Sequence, residues 1–186
     1  WDADRVQPSN INRQLCALQS TVGEYKVDIL ARRFKDINPE LELDVQAAFL
    51  EESQAGPLLD ACHYDFVVDA IDTIAPKCAL LVEAMKRHVR IISSMGAGAK
   101  TDITQVRFAD LWDTYHCGLS KAVRTRLKRA GMHHHPLPVV FCTQQACQEA
   151  IVRVEGERNK KTTTGTVSYM PAVFGCYLAQ YVIDRL

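Results

Sequence analysis

Apolar residues recur along the chain at two different spacings, and together these spacings predict strands alternating with helices. Residues 25–37 carry apolar side chains at helical spacing, and Asn38-Pro39 ends that segment. Short apolar runs such as Phe66-Val67-Val68 are typical of buried parallel strands. We predict strands over residues 1–6 (the tail of one), 41–49, 64–71, 89–93 and 103–108, and helices over residues 25–37, 76–88, within 110–131 and over 171–186, with a short helix ending at 58–62.

This order predicts an α/β fold that is Rossmann-like, with a mostly parallel sheet flanked by helices. Ligands bind such sheets at the carboxyl ends of the strands. No internal repeat or linker interrupts the chain, so we predict a single domain over residues 1–186. Polar residues lie at or just past the predicted strand ends: Asp2, Asp4, Asp69, Asp72 and Ser93-Ser94.

Composition narrows the class of protein. The 186 residues are 47% hydrophobic with net charge +0, which fits a globular domain and argues against a surface that binds polyanions all over. The most apolar segment, residues 169–183, is short and interrupted by Gln180, so we interpret it as a buried or interfacial helix. Seven scattered cysteines indicate reduced thiols in a cytoplasmic protein without a disulfide framework.

Metal-binding and nucleophilic motifs are weak. His133-His134-His135 precedes Pro136, which favours a solvated loop over a metal site. Cys142 and Cys147 are too far apart for a Cys-x-x-Cys hook, so we expect no structural zinc. No cysteine has an evident base beside it in the sequence.

A polar group near the start of the chain is the strongest sign of chemistry: Asp2, Asn10, Arg13, Gln14 and Lys26. Its plain interpretation is a polar loop followed by a solvated helix. However, a lysine at a helix start opposes the helix dipole unless an anion binds there. A carboxylate can hold ribose hydroxyls and an arginine can clasp phosphate oxygens, so the group predicts a nucleotide triphosphate site.

Asp69-Ala70-Ile71-Asp72 follows the predicted strand over residues 64–71. Asp69 either caps the next helix or packs inward, whereas Asp72 is better placed to face a cleft and hold a divalent cation beside phosphates. Gly96-Ala97-Gly98 lacks the third glycine of a phosphate loop. It is most simply a turn, with lining of a substrate site as the alternative.

A basic segment follows, and basic runs are usually solvated. In a neutral chain, however, five cations within nine residues favour a phosphate-contacting patch without base stacking. Residues 149–166 are polar, include Lys160 and predict a mobile loop. The cations of the predicted helix are Lys121, Arg124, Arg126, Lys128 and Arg129.

Several motifs now resemble one family. They are Asp2, Ser9-Asn10-Ile11-Asn12-Arg13-Gln14, Val22-Gly23-Glu24-Tyr25-Lys26, Ile37-Asn38-Pro39 and Asp69-Ala70-Ile71-Asp72. The chain resembles the ubiquitin-activating-enzyme-like adenylating superfamily (ThiF, MoeB and HesA types). It is most similar to the branch of tRNA threonylcarbamoyladenosine dehydratases (TcdA or CsdL type), through Pro76-Lys77, Gly96-Ala97-Gly98 with Asp102, Asp110-Leu111 and Leu127-Lys128.

The resemblance implies an enzyme that uses ATP and Mg²⁺. Asp2 would bind the ribose, Asn10, Arg13 and Lys26 the phosphates with support from Gln14, and Asp72 the magnesium. The glycine-rich loop that the family places before the position of Trp1 is not in this sequence. We therefore expect the N-terminal βαβ phosphate-loop unit to be missing and the chain by itself to be inactive.

The implied reaction is adenylation of the carboxylate of threonylcarbamoyladenosine in tRNA, followed by cyclisation. With such a substrate, the basic helix and the loop around Lys160 are the candidates for contact with the tRNA backbone. A homodimer, a link to a cysteine desulfurase and membrane association come only from the family. The missing Cys-x-x-Cys pairs and the basic helix weigh against activation of a sulfur-carrier or ubiquitin-like protein. A non-catalytic nucleotide-binding scaffold and a dinucleotide-dependent oxidoreductase stay open as further alternatives.

Overall fold

The computed structural model describes residues 1–153 and 162–186. Contacts within the chain form two compact units, Trp1–Glu51 and Glu52–Leu186, which we describe separately. The prediction of one domain over residues 1–186 stays a prediction. The helices are α1 (Lys26–Ile37), α2 (Ala55–Asp60), α3 (Ile74–Lys86), α4 (Gly118–Arg129) and α5 (Tyr169–Ile183), and the strands are β1 (Val67–Asp69), β2 (Ile91–Ser94), β3 (Val106–Asp110), β4 (Pro138–Cys142), β5 (Ile151–Arg153) and β6 (Thr162–Thr164).

The first unit contains α1 but neither of the strands predicted there. Residues 1–6 contribute one antiparallel bridge, between Arg5 and Tyr25. Residues 41–49 are not assigned to a strand, and a single backbone hydrogen bond, from Asp2 N–H to Gln46 O at 3.1 Å, joins the two segments. A single hydrogen bond does not form a pair of strands, so the strand predicted over residues 41–49 from its alternating pattern is wrong.

A small apolar cluster stabilises this first unit. Its buried members are Val6, Cys16 and Ala17, and Ile29 and Leu30 of α1 pack against them. None of the α1 residues is fully buried, because the helix lies with one apolar face on this cluster and the rest in solvent. The unit therefore depends on turns and surface pairs more than on a deep core.

The second unit is built on a four-stranded sheet in the order β1-β2-β4-β3. Strands β1 and β2 run parallel, as do β2 and β4, whereas β3 is antiparallel to β4. The prediction of a mostly parallel α/β sheet is therefore confirmed, with one antiparallel edge strand. In this register Asp69 lies beside Ser93, and Ser93 beside Val139, so the carboxyl ends of the parallel strands meet at one edge.

Helix α5 packs on one face of the sheet and contacts β2, β3 and β4, as the sequence predicted. Successive side chains of a strand point to opposite faces of the sheet, so each strand also presents residues to the face that α5 does not cover. On that side α3 packs on β1 and on α4. The core beneath α5 consists of Ile92, Val106, Val140, Cys142, Met170, Phe174 and Leu178.

Two further segments differ from prediction. Residues Ile103–Gln105 form a 3₁₀ turn that Asp102 caps by accepting from Thr104 N–H at 2.9 Å, so β3 begins only at Val106. Where the sequence predicted a polar loop, β5 and β6 pair antiparallel. Threonine favours strands, and the Thr162–Thr164 run outweighed the polarity of the segment. The predicted contact residue Lys160 lies outside the described residues.

Candidate functional site

Lys26 begins α1 and is paired with Asp4. Its Nζ lies 2.6 Å from Asp4 Oδ2, and its backbone N–H donates to Asp4 O at 3.0 Å. The Lys26 side chain is 12% exposed, whereas that of Asp4 is 68% exposed. Sequence reasoning placed Asp4 only at a strand end and missed it as the partner of Lys26. The spacing Asp2-x-Asp4 just before the polar loop was the available signal.

The turn before α1 uses Asn10 and Arg13 as its organising residues. Asn10 is buried, and its Oδ1 accepts from Gln7 N–H at 3.0 Å. The backbone amides of Arg13 and Gln14 both donate to Asn10 O at 3.0 Å. Arg13 Nη1 donates to Ser9 O at 2.7 Å, so the guanidinium is held against its own turn.

The two remaining predicted residues of the first unit make local contacts. Asp2 Oδ1 accepts from Asp4 N–H at 2.7 Å, which orders the backbone that carries the partner of Lys26. Gln14 Oε1 lies 4.0 Å from the Cys16 thiol, at the edge of the small core. The unit thus contains all five polar residues predicted there, each held by contacts within the unit.

A buried ion pair lies at the carboxyl edge of the sheet in the second unit. Lys77 Nζ is 2.7 Å from Asp69 Oδ2, and both side chains are 0% exposed. Ser93 Oγ donates to the same Asp69 oxygen at 2.6 Å. Asp69 therefore packs inward, one of its two predicted placements. Lys77 was quoted only as part of a motif, and its role as partner was missed.

Asp72 is exposed and lies between β1 and α3. Its Oδ1 accepts from Thr73 Oγ1 at 3.4 Å, and Thr73 is the N-cap residue of α3. Within residues 1–153 and 162–186, no three His, Cys, Asp or Glu side chains cluster as a ready metal site. One exposed carboxylate fits Mg²⁺, which protein sites commonly hold through one or two carboxylates, water and substrate phosphates.

Gly98 allows two segments of the second unit to approach closely. A Cβ at Gly98 would lie 2.8 Å from Thr164 Cγ2, closer than packed carbon atoms allow. Next to it, Ala99 N–H donates to Gly165 O at 2.8 Å, and Ala99 has a φ of 58°. The Gly96-Ala97-Gly98 turn is therefore a packing site for the β6 end, which the sequence pattern did not predict.

The cations of α4 fall into two groups. Arg124 Nη1 donates to Thr114 O at 2.8 Å and also to the Thr114 hydroxyl, and Arg126 Nη2 lies 2.6 Å from Glu52 Oε2. These two arginines stabilise neighbouring segments. The other three cations have exposed side chains, which make no hydrogen bond or ion pair to the part of the chain that the structure describes. They are Lys121, Lys128 and Arg129.

Charge also organises the opposite end of α3. The Arg87 guanidinium forms a bidentate pair with Asp60 at 2.7 and 2.8 Å and a further pair with Glu83. The hydrogen bond from Arg87 holds the pKa of Asp60 below its usual value, and those from Lys86 and Arg87 do the same for the pKa of Glu83. This network links α2 to α3 away from the strand ends.

Thiols and histidines add little to the site. All seven cysteines are free, and burial raises the pKa of Cys78 to about 11. The rings of His133 and His134 lie 3.7 Å apart in the loop after α4. Across the described part of the chain, no helix combines the length and the apolar character needed to cross a bilayer.

The match to a known family covers the whole chain. The sequence signature of the ThiF family matches residues 1–186. Each parallel strand end, turn and ion pair above belongs to this matched region. The chain belongs to the ThiF family, and the resemblance stated from its motifs is confirmed.

Within that family the chain is similar to one group of tRNA-modifying proteins. It is 36% identical over 192 residues to the tRNA threonylcarbamoyladenosine dehydratase of Bacillus subtilis, covering 100% of this chain and 75% of the relative. Two crystal structures of Escherichia coli tRNA N6-threonylcarbamoyladenosine dehydratase, TcdA, are also similar. The complex with ATP matches this chain with a TM-score of 0.85 at 27% sequence identity, and the complex with AMP with a TM-score of 0.83 at 28% identity. Each match covers 98% of this chain and 72% of the TcdA chain.

Proposed function

We propose that this protein is an ATP-dependent tRNA threonylcarbamoyladenosine dehydratase. The observation that carries the proposal is the 36% identity to the Bacillus subtilis dehydratase over the full length of this chain. A relative with 27% identity and the same fold was crystallised with ATP, which supports ATP as the nucleotide. The substrate is accordingly a tRNA that carries threonylcarbamoyladenosine.

The site residues have the roles that the family resemblance implies. Asp2 binds the ribose of ATP, while Asn10, Arg13 and Lys26 contact its phosphates and Gln14 supports them. Asp72 holds Mg²⁺, which would lower the charge of the phosphates when bound. The exposure of Asp72 and its place just past β1 support this role.

The chemistry requires positioned cations more than a nucleophilic residue. The carboxylate of the modified base attacks the α-phosphorus of ATP, the bond to the bridging oxygen breaks, and pyrophosphate leaves. Negative charge on the phosphate oxygens is stabilised by Arg13 and Lys26. The tethered carbamoyl group then closes on the acyl-adenylate, AMP leaves, and the net loss is one water molecule.

The remaining traits of the proposal come from the cysteine pattern and from the family. The cysteines favour a cytoplasmic protein without structural zinc, and the family implies a homodimer that works beside a cysteine desulfurase. The family also implies membrane association, which is to be tested for this protein. Gel filtration with light scattering measures the dimer directly, and a monomer at micromolar concentration would remove that part of the proposal.

Substrate choice gives the decisive test of the main reaction. We expect the intact protein to release AMP and pyrophosphate only with tRNA that carries threonylcarbamoyladenosine. Asp72→Ala and Arg13→Ala should lose this activity and keep the fold, while Asp113→Ala, at an exposed carboxylate of the second unit, should keep both. Full activity in either of the first two variants would refute the assigned roles.

The sulfur-carrier alternative predicts the opposite substrate. AMP release with a small ubiquitin-like carrier protein, and none with modified tRNA, would replace the proposed function with carrier activation. ATP binding without any AMP release would favour the non-catalytic scaffold. Binding of a nicotinamide cofactor in place of ATP would favour the oxidoreductase.

Helix α4 is the proposed contact with the tRNA backbone, through Lys121, Arg124, Lys128 and Arg129. Arg124 also holds the loop at Thr114, so charge reversal is better made at Lys121 and Lys128. Each reversal should weaken binding and reduce the slope of log affinity against log salt by about 1. Arg33→Glu, on an exposed face of α1, is the matched control. An unchanged slope in both α4 variants would remove the helix from the interface.

A further inference from the structure

The ammonium group of Lys77 is fully buried and satisfied by three oxygen atoms. Besides Asp69 Oδ2 at 2.7 Å, Nζ donates to Ile71 O at 3.0 Å and to Ser94 O at 2.9 Å. A lysine ammonium has three donors, so each of them has one acceptor here. Lys77 has no donor left for a substrate, and its function must act through the groups it holds.

Those groups converge on the residue before Asp72. Ile71 O accepts from Lys77, and Ile71 N–H donates to Asp69 Oδ1 at 3.0 Å. Both backbone polar groups of Ile71 are therefore held by the two members of the buried ion pair. The peptide that leads into Asp72 thus has a defined orientation, although Asp72 itself lies in an exposed connection between β1 and α3.

Stability alone does not account for this arrangement. Burying two charges costs desolvation, and apolar pairs of similar volume often serve a fold as well or better. An apolar pair could not bond the two backbone groups of Ile71 or the carbonyl of Ser94 on the neighbouring strand. What the charged pair adds is a fixed backbone at the carboxyl edge of the sheet, which is the place where ligands of such sheets bind.

We propose that Lys77 is a positioning residue, which with Asp69 fixes the backbone at Ile71 so that the Asp72 carboxylate is aimed at the magnesium of bound ATP. This inference rests on the proposed function of Asp72. Metal-binding carboxylates depend on neighbours that fix their orientation, and loss of such a neighbour typically lowers metal affinity about 10–100-fold.

The test separates positioning from folding with the variant D69N/K77M. The Asp69→Asn change keeps a side-chain oxygen for Ile71 N–H or the Ser93 hydroxyl, while Lys77→Met fills the volume without donating to Ile71 O. ATP affinity is measured by calorimetry in the intact protein over a series of Mg²⁺ concentrations, with a thermal melt for the fold. We expect a folded variant whose Mg²⁺ requirement for ATP binding rises about tenfold or more.

Two further variants complete the experiment. Ser93→Ala removes the Ser93 bond to Asp69 and leaves Lys77 on Ile71 O, so its Mg²⁺ requirement should equal that of the parent protein. If D69N/K77M does not fold, the neutral pair D69N/K77Q, whose shorter Gln side chain cannot span Ile71 O and Ser94 O, is measured in its place. A folded D69N/K77M or D69N/K77Q protein with the parent Mg²⁺ requirement would overturn the inference. Absence of ATP binding in the parent would instead overturn the proposed function.

Discussion

Each unit of the chain contains a lysine–aspartate pair, and the two pairs have opposite surroundings. Lys26 and Asp4 lie 2.6 Å apart with Asp4 mostly in solvent, whereas Lys77 and Asp69 lie 2.7 Å apart with no exposure at all. The two pairs thus have nearly the same distance between their charges but differ in how strongly water screens those charges. Distance alone therefore says little about what a charge pair contributes.

The difference lies in what each lysine can still do. Lys77 uses all three of its donors on oxygen atoms of the protein, so it can only hold the backbone around it. Lys26 has one carboxylate partner on a solvent-exposed residue, and a bound phosphate can compete for it. We conclude that the buried pair organises the protein and that the exposed pair is the one suited to meeting a ligand.

The largest expected effect follows from breaking the buried pair on one side only. Lys77→Met leaves Asp69 as an unpaired buried carboxylate, which should lower the free energy of unfolding by about 3–5 kcal/mol. Urea unfolding followed by circular dichroism measures this. In D69N/K77M, which removes both charges, much of the loss should be recovered. Equal stability of Lys77→Met and the parent would show that the pair is not buried as described.

An intermediate effect is expected from the Arg87 network. The pKa values of Asp60 and Glu83 are lowered in the folded state, so their contribution is full above the unfolded values and is lost as pH falls through the folded ones. Arg87→Gln should flatten the fall of melting temperature between about pH 5 and pH 3. The control Arg33→Glu leaves this network intact. A variant curve parallel to that of the parent would contradict the assignment.

The smallest effect on stability is expected at the exposed pair. Lys26→Met should change the free energy of unfolding by about 0–1 kcal/mol, because water screens Asp4. The same variant should bind ATP much more weakly, since the proposed phosphate contact is lost. Calorimetry and urea unfolding on one preparation measure both quantities. A large loss of stability with unchanged ATP affinity would show that Lys26 and Asp4 stabilise the fold and do not serve ligand binding.

The sequence predicted the parts of this fold that repeat a pattern. Apolar runs and helical spacing located β1, β2, α1, α3 and α5, since core burial enforces those periods over several residues. The alternation at Leu41, Leu43 and Val45 is also typical of a strand, but the structure forms no strand there because no neighbouring strand pairs with it. Strand pairing depends on residues distant in the sequence, which a local pattern does not contain. The Thr162–Thr164 strand was missed because the polarity of its segment was given more weight than the strand propensity of threonine.

The site was predictable as a set of residues, but its internal partners were not. The motifs identified Asp2, Asn10, Arg13, Lys26 and Asp72, and the family they indicated is confirmed by the full-length match. The roles of these residues at a ligand stay predictions. Partners such as Asp4 for Lys26 and Asp69 for Lys77 depend on how a turn and two strand ends fold together, which spacing along the chain does not specify.

Cys78 follows Lys77 directly and is only 1% exposed, with a pKa raised to about 11 by burial. The thiolate is the form that reacts with electrophiles and oxidants, and at neutral pH this thiol is almost entirely protonated. Alkylating reagents should therefore modify the exposed Cys62, Cys147 and Cys176 first. The protein can thus carry a spectroscopic label while the thiol beside its buried charges stays unmodified, and the slow labelling of Cys78 then reports how often the sheet edge opens.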